Sequence, residues 1–165
     1  IAEDLGTIDD DVRALLKKTG FPGMKVLQFA FGGGADNAYL PHNHKKNCVV
    51  YTGTHDNETA RAWFDELSEQ EKHVVREYLG CNNEEAVWAL IRSVMMSNAD
   101  YAIIPMQDIL ELGTEARMNF PSTCNSKNWA WRMKKDAFDS YRINRYSFLV
   151  KISGRCGKTA EEYYS

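Results

Sequence analysis

The sequence predicts an α/β fold, namely the second half of a (β/α)₈ barrel of the TIM type, present as a fragment. Three observations lead to this prediction. Short apolar runs alternate with helical patterns, as in parallel βα units whose strands are buried on both faces. Polar residues gather directly after these runs, where a barrel forms its active-site face. The 165 residues hold only four strand-like runs, whereas a whole barrel has eight strands in about 250 residues.

The first elements follow from apolar spacing and from glycine. Ile1-Ala2 predicts the end of a buried strand, so we expect a truncation or a processing point at the start of the chain. Residues 9–19 have a helical stripe, and Gly20 occupies the position of a C-terminal cap. Residues 24–31 predict the next strand, which a run of three glycines, 32–34, brings to an end.

The middle of the chain continues the alternation. Residues 48–52 (CVVYT) predict a strand, after which Asn57 is expected to cap a helix. Ser68 and Glu71 form a capping-box pattern at the start of a helix that ends at Gly80. The remaining predicted elements are a helix over 84–97, a strand over 101–105 (YAIIP) and a helical turn over 108–112.

Composition excludes several classes of function. Apolar residues make up 44% of the chain and charged residues 26%, with a net charge of −3. Lys and Arg are spread along the chain, so its charge gives no reason to expect a nucleic acid as partner. No apolar run is long enough to span a membrane, and no signal peptide opens the chain. We expect neither nucleic acid nor membrane as partner, and a cytoplasmic location, or a plastid if the source is a plant or an alga.

Cysteine and histidine spacing gives little support to a metal site. The four cysteines lie far apart, without the close pairs that zinc sites show. His42 and His44 could join His55 and Asp56 around a metal ion, but the first two lie in a predicted loop. We therefore expect no metal, and a reducing compartment.

Acidic residues at neighbouring strand ends indicate carboxylate chemistry. Retaining cleavage of a glycosidic bond needs a nucleophilic carboxylate and an acid about 5–5.5 Å apart. Glu3, which follows an apolar stretch and precedes Asp4, is placed to be the acid. Asp56 could bind sugar hydroxyls and stabilise an oxocarbenium ion, with His55 as a neutral donor. The alternatives are that Glu3 caps a helix or is solvated, and that His55 and Asp56 share a structural hydrogen bond.

Six motifs, taken in order, resemble the C-terminal half of the 4-α-glucanotransferases of glycoside hydrolase family 77. The resemblance covers roughly residues 1–135. The motifs are IAEDLG at 1–6, FPGMKVLQFAF at 21–31, LPHN at 40–43, VVYTGTHDNET at 49–59, ARMNFP at 116–121 and NWAWR at 128–132.

The resemblance implies a barrel enzyme that moves segments of α-1,4-glucans to glucose or to another glucan, by double displacement with retention. Its substrates would be maltooligosaccharides, α-1,4-glucans and glucose, and it would need no metal or organic cofactor. Glu3 matches the general acid/base of the family and Asp56 its transition-state stabiliser. His55, Asn57 and Asn119 are the implied substrate-binding residues. The family's nucleophilic Asp lies upstream of the AEDLG motif, so no residue of this chain matches it.

Two domains of unequal character are expected. Residues 1–135 correspond to the C-terminal half of the catalytic barrel, whereas 136–165 predict a divergent tail with a weak helix. Trp129 and Trp131 of the NWAWR motif are expected to serve packing rather than to bind sugar. Alternative functions are an α-glucan hydrolase of the same superfamily, which differs in using water as acceptor, and a non-catalytic glucan-binding fragment.

Overall fold

Three parallel strands form the centre of this computed structural model, which describes residues 1–6 and 8–157. The strands are β1 (Gly23–Val26), β2 (Cys48–Tyr51) and β3 (Tyr101–Ile103), and they lie side by side in that order. Gly23 is in register with Cys48, and Val49 with Tyr101. Within the described residues, neither β1 nor β3 has a second strand as neighbour. The predicted parallel α/β arrangement is confirmed.

Helices connect and cover these strands. In chain order they are α1 (Asp10–Thr19), α2 (Ala60–Glu66), α3 (Glu69–Leu79), α4 (Ala86–Met95), α5 (Met106–Ile109) and α6 (Ser140–Ile152). Three short 3₁₀ helices lie at Leu27–Phe29, Pro41–Asn43 and Thr114–Ala116. None of the helices in the described part is long and apolar enough to cross a membrane.

Two helix boundaries confirm the capping predictions. Gly20 ends α1 in the left-handed conformation, with φ of 68°, and its N–H donates to the carbonyl of Leu16. At the start of α3 the Ser68 hydroxyl accepts from the N–H of Glu71, whose carboxylate accepts from the N–H of Ser68. Local sequence therefore sets these boundaries without help from distant parts of the chain.

Three local predictions are wrong. Ile1-Ala2 forms no strand: Ala2 donates one hydrogen bond to the carbonyl of Pro22, but the N–H of Met24, which would continue a parallel ladder, donates to the side chain of Asp4. The strand expected over 24–31 ends at Val26, where the chain turns into a 3₁₀ helix. The N-terminal cap of α2 is Thr59, whose hydroxyl accepts from the N–H of Ala62, and not Asn57.

The main core lies between β2 and helix α4. Fully buried side chains from the strand and the helix meet there, and Leu149 of α6 joins them from the end of the chain. The buried members of this contact are Val50, Val87, Leu90, Ile91, Val94 and Leu149. By contrast, α1 buries none of its residues, and Val12 and Leu15 of its apolar stripe are exposed.

Arg155, just beyond α6, fastens the end of the chain to the turn between α4 and β3. Its guanidinium donates to the backbone oxygens of Met95, Ser97 and Ala99, at 2.7, 3.0 and 2.8 Å, and more distantly to that of Asp100. The C-terminal helix is therefore held both by its apolar side and by a cation that binds several carbonyl groups.

Candidate active site

An open cleft of about 950 Å³ lies at the carboxyl end of the sheet. Parallel strands present their carboxyl ends at one edge, which is where α/β enzymes bind ligands. The polar lining includes Glu3, His55, Asp56 and Asn57, and the apolar lining includes Ile1, Phe29 and Tyr51. Four of the five predicted site residues therefore line a single cleft.

The turn after β2 holds His55 and Asp56 in place. Asn57 organises this turn, because its side-chain oxygen accepts from both the backbone N–H and the hydroxyl of Thr54, at 2.9 and 2.8 Å. The N–H of Asp56 donates in turn to the Thr54 hydroxyl, at 3.3 Å. Asn57 therefore has a structural task in addition to its place on the cleft wall.

The carboxylate of Asp56 accepts one hydrogen bond from Asn119 and lies beside the imidazole of His55. The side-chain amide of Asn119 donates to Asp56 Oδ1 at 2.7 Å, and His55 Nε2 lies 3.3 Å from the same oxygen. The side chain remains about half exposed, at 48%. One oxygen is thus held by the protein, while the other side of the carboxylate is open to the cleft. Asn119, the fifth predicted residue, reaches the site through this hydrogen bond.

Arg117 joins the Asp56 turn to the segment that carries Asn119. Its guanidinium donates to the backbone oxygen of Asp56 at 2.8 Å, to that of Asn119 at 2.9 Å, and to Glu58 Oε1 at 2.6 Å. The same group lies over the ring of Phe120, 4.6 Å from its centre. The planar guanidinium suits this role because its donors point in several fixed directions.

Trp129 lies beside His55 at the edge of the site. The two ring centres are 4.9 Å apart. The backbone N–H of Trp129 donates to the backbone carbonyl of Met118. Trp129 contacts the imidazole of His55 but is not a core residue, since 54% of it is exposed, and its expected role in packing stays a prediction. Its backbone has a φ of 61°, a conformation that few non-glycine residues adopt.

Within residues 1–6 and 8–157, Glu3 is held by its two neighbours and not by contacts of its own carboxylate. Ala2 donates to the carbonyl of Pro22, and the carboxylate of Asp4 accepts from the N–H of Met24, the second residue of β1. Asp4 also lies 3.8 Å from the ammonium group of Lys25. These contacts fasten the start of the chain along the free edge of β1 and leave Glu3 exposed on the cleft.

Asp108 follows a strand-like run closely, as the polar residues of the site face do, but the structure buries it. Only 1% of this residue is exposed. Its carboxylate accepts from the hydroxyl of Thr52 and from the N–H of Ala60. Burial raises the pKa of Asp108 from the usual 3.8 to about 6, although both hydrogen bonds act in the opposite direction.

The two histidines of the LPHN segment have other partners. The His42 ring contacts the Tyr78 hydroxyl and the carbonyl of Ala35, each at 2.9 Å. His44 is buried against the carbonyl of Tyr39, and burial lowers the pKa of its imidazole. Across residues 1–6 and 8–157, no group of three or more His, Cys, Asp and Glu side chains could hold a metal ion.

Comparison with known sequences assigns the family. The profile of glycoside hydrolase family 77, described as 4-alpha-glucanotransferase, matches residues 1–137. The chain belongs to the 4-alpha-glucanotransferase family. Within this family it is 51% identical over 158 residues to a 4-alpha-glucanotransferase of Clostridium butyricum, covering 94% of this chain and 32% of the relative. It is 52% identical over 159 residues to a chloroplastic/amyloplastic 4-alpha-glucanotransferase of Arabidopsis thaliana, covering 94% and 27%. The chain thus spans about a third of the length of these relatives.

Solved structures of the 4-alpha-glucanotransferase family have the same fold. An amylomaltase from Streptococcus agalactiae, solved in complex with acarbose, superposes with a TM-score of 0.88 at 35% identity. The match covers 93% of this chain and 31% of that one. An amylomaltase from Corynebacterium glutamicum gives a TM-score of 0.66 at 16% identity, again over 93% of this chain and 28% of the other, a likeness of fold alone.

Three residues of this family member escaped sequence reasoning. Glu58, Asp108 and Arg117 make the polar contacts that connect the site segments to one another. The only available signal was position: Glu58 follows the HDN motif directly, Asp108 follows a strand, and Arg117 stands in the ARMNFP motif. Position alone does not say which of them meet.

Proposed function

We propose that this chain is the C-terminal part of a 4-α-glucanotransferase. The enzyme moves a segment of an α-1,4-glucan to glucose or to another glucan, with retention of configuration. Its substrates are maltooligosaccharides, α-1,4-glucans and glucose. Family membership supports this proposal, and so does the position of the predicted site residues at one cleft.

The proposed architecture is the second half of a (β/α)₈ barrel. Support comes from three parallel strands in chain order, from helices that connect and cover them, and from edges of β1 and β3 to which further strands can pair. In this arrangement residues 1–135 are barrel, and 136–165 are a separate C-terminal part whose helix α6 packs on the barrel's outer layer. The nucleophilic aspartate then comes from an upstream strand that this chain does not include.

The observation that carries the proposed mechanism is the shared cleft of Glu3 and Asp56. Glu3 is exposed on the cleft, as a group must be that gives a proton to the leaving oxygen and later takes one from the acceptor. Asp56 is held by Asn119 on one side only, so its negative charge faces the place where an oxocarbenium ion develops. His55 and Asn57 line the same wall and bind sugar hydroxyls. In this mechanism the chain's residues move protons and stabilise charge, and no metal or organic cofactor takes part.

Replacement of Glu3 by Gln tests the acid/base role in the full-length protein. The amide keeps the shape of the side chain but cannot transfer a proton, a function that typically contributes ~10²–10⁴-fold. Transfer from maltotriose should fall by about this factor. A glycosyl fluoride should suffer less in the first step, because fluoride leaves with little protonation. Equal losses with both donors would count against the assignment.

Replacement of Asp56 by Asn gives the contrasting result. Positive charge develops on the sugar whatever the leaving group, so transfer from maltotriose and from a glycosyl fluoride should both slow strongly. A variant that spares either donor would leave Asp56 with a structural role. Product analysis of the unmodified protein separates the alternatives: longer maltooligosaccharides indicate transfer, glucose and maltose alone indicate hydrolysis, and bound but unchanged maltotriose indicates a binding protein.

A further inference from the structure

The buried carboxylate of Asp108 contacts both ends of the loop that carries His55 and Asp56. Its Oδ2 accepts from the hydroxyl of Thr52 at 2.5 Å, immediately before the loop. Its Oδ1 accepts from the N–H of Ala60 at 2.8 Å, immediately after it. Residues 53–59 therefore leave the sheet and enter α2 at two points fixed by one side chain.

We propose that Asp108 is a positioning residue that sets the place of Asp56 in the cleft by fixing both ends of residues 53–59. This inference rests on the proposed function of Asp56. A loop of seven residues that is fixed at both ends has few conformations left. A small displacement of a reacting group can cost an enzyme a large part of its rate. Asp108 is only 1% exposed and is not among the residues that line the cleft of Glu3 and Asp56, so it acts through the loop.

The chemistry of the side chain fits this task. An ionised carboxylate has two acceptor oxygens, and here each oxygen receives one donor from a different end of the loop. An alanine at this position accepts neither donor and leaves the N–H of Ala60 buried without a partner. A valine in place of Thr52 keeps the shape of that side chain and removes only one of the two bonds. Asp108→Ala therefore removes both hydrogen bonds to the loop ends, and Thr52→Val removes one of them.

Helix stabilisation alone is the competing explanation, because Ala60 is the first residue of α2. In that case Asp108 would contribute to unfolding free energy and would not act on Asp56. Leu149→Ala is the matched control, since it removes a buried side chain from α6, which has no residue on the loop or in the cleft. It should destabilise the protein and leave kcat unchanged at temperatures where the protein is folded.

The experiment measures kcat and KM with maltotriose in the full-length protein, together with hydrogen–deuterium exchange of peptides that cover residues 53–59. Asp108→Ala should lower kcat about ten-fold or more and speed exchange in this loop. Thr52→Val should also lower kcat and speed exchange in the loop, but by smaller amounts. In an Asp56→Asn background, Asp108→Ala should cause little further loss of kcat, because the residue acts through Asp56.

Two results would overturn the inference. The first is that Asp108→Ala lowers kcat by the same factor in the unmodified protein and in the Asp56→Asn variant. The second is that Asp108→Ala leaves hydrogen–deuterium exchange over residues 53–59 unchanged. If the unmodified full-length protein does not act on maltotriose, the proposed function fails, and so does the catalytic part of this inference. The exchange data still decide by themselves whether Asp108 holds the loop.

Discussion

Replacing Arg117 by Met should lower the free energy of unfolding by about 3 kcal/mol, because it leaves the Glu58 carboxylate without its cation. The two side chains are 2.6 Å apart and only 18% and 13% exposed. The other carboxylate oxygen of Glu58 is buried and has no hydrogen-bond partner in the described part of the chain. Removing one member of a buried pair costs about 3–5 kcal/mol, and this pair keeps some access to water, which places it at the lower end.

The assay is urea unfolding of the full-length protein, with transfer from maltotriose measured in parallel. The methionine can still cover the ring of Phe120, so the loss reports charge and hydrogen bonds more than packing. A double variant, Arg117→Met with Glu58→Gln, removes the stranded charge and should be more stable than the single variant. Arg13→Met is the control, since Arg13 and Asp10 form an exposed pair and its loss should leave the urea midpoint unchanged.

Activity should fall with stability in the Arg117→Met variant, because the guanidinium also binds the backbone of Asp56 and of Asn119. We expect kcat to fall about ten-fold or more at temperatures where the protein is folded. If Arg117→Met lowers the free energy of unfolding by less than about 1 kcal/mol, the argument about the Arg117–Glu58 pair is refuted. A double variant less stable than the single one would refute it as well, since the cost would then not arise from an unpaired charge.

Three further predictions concern pH, backbone space and the chain by itself. The native carboxyl of Asp108 keeps its proton up to about pH 6, whereas the unfolded one releases it near its usual 3.8. As pH rises between these two pKa values, the contribution of Asp108 to the free energy of unfolding should therefore fall by about 3 kcal/mol. Urea titrations at several pH values measure this fall, and Asp108→Asn should abolish it. Gly23→Ala should lower kcat, because a Cβ there would overlap the carboxylate of Asp4 and displace Glu3. Gly32→Ala, where a Cβ would meet open space, should have little effect; equal activities would contradict the contact. The isolated 165-residue chain should associate and should not act on maltotriose, because β1 and β3 offer free edges in the described part; a stable, active monomer in size-exclusion chromatography would disprove this.

Much of the fold could be predicted because its signals are local. The stop of α1 at Gly20 and the capping box at Ser68 depend on residues within one turn of the helix. The strands β2 and β3 are short apolar runs, as the sequence predicts, but only β2 is buried, whereas Tyr101 and Ile103 of β3 are exposed. Asn57 shows the limit of such reasoning, since Asn and Thr both cap helices, and only the geometry of the turn selects Thr59.

The site could be predicted in part for the same reason. Glu3, His55 and Asp56 are predicted from motifs, and all three line one cleft. His55 and Asp56 reach it from the turn after β2, and Glu3 from the start of the chain beside β1. The contacts that position them could not be predicted from spacing. Asp108 and Thr52 are 56 residues apart, and Arg117 and Glu58 are 59 residues apart. The burial that makes such pairs matter arises only when the whole sheet and its helices are assembled.

The contacts of Arg155 bear on the design of chimeric enzymes. The family match ends at residue 137, which suggests a convenient junction for exchanging this part between relatives. A junction there would replace α6 and remove the guanidinium that binds the backbone oxygens of Met95, Ser97 and Ala99. Those oxygens lie at the entrance to β3, the strand that leads to Asp108. A crossover placed after residue 157 keeps donor and acceptors from the same parent, and recombination libraries should recover more active progeny from that position.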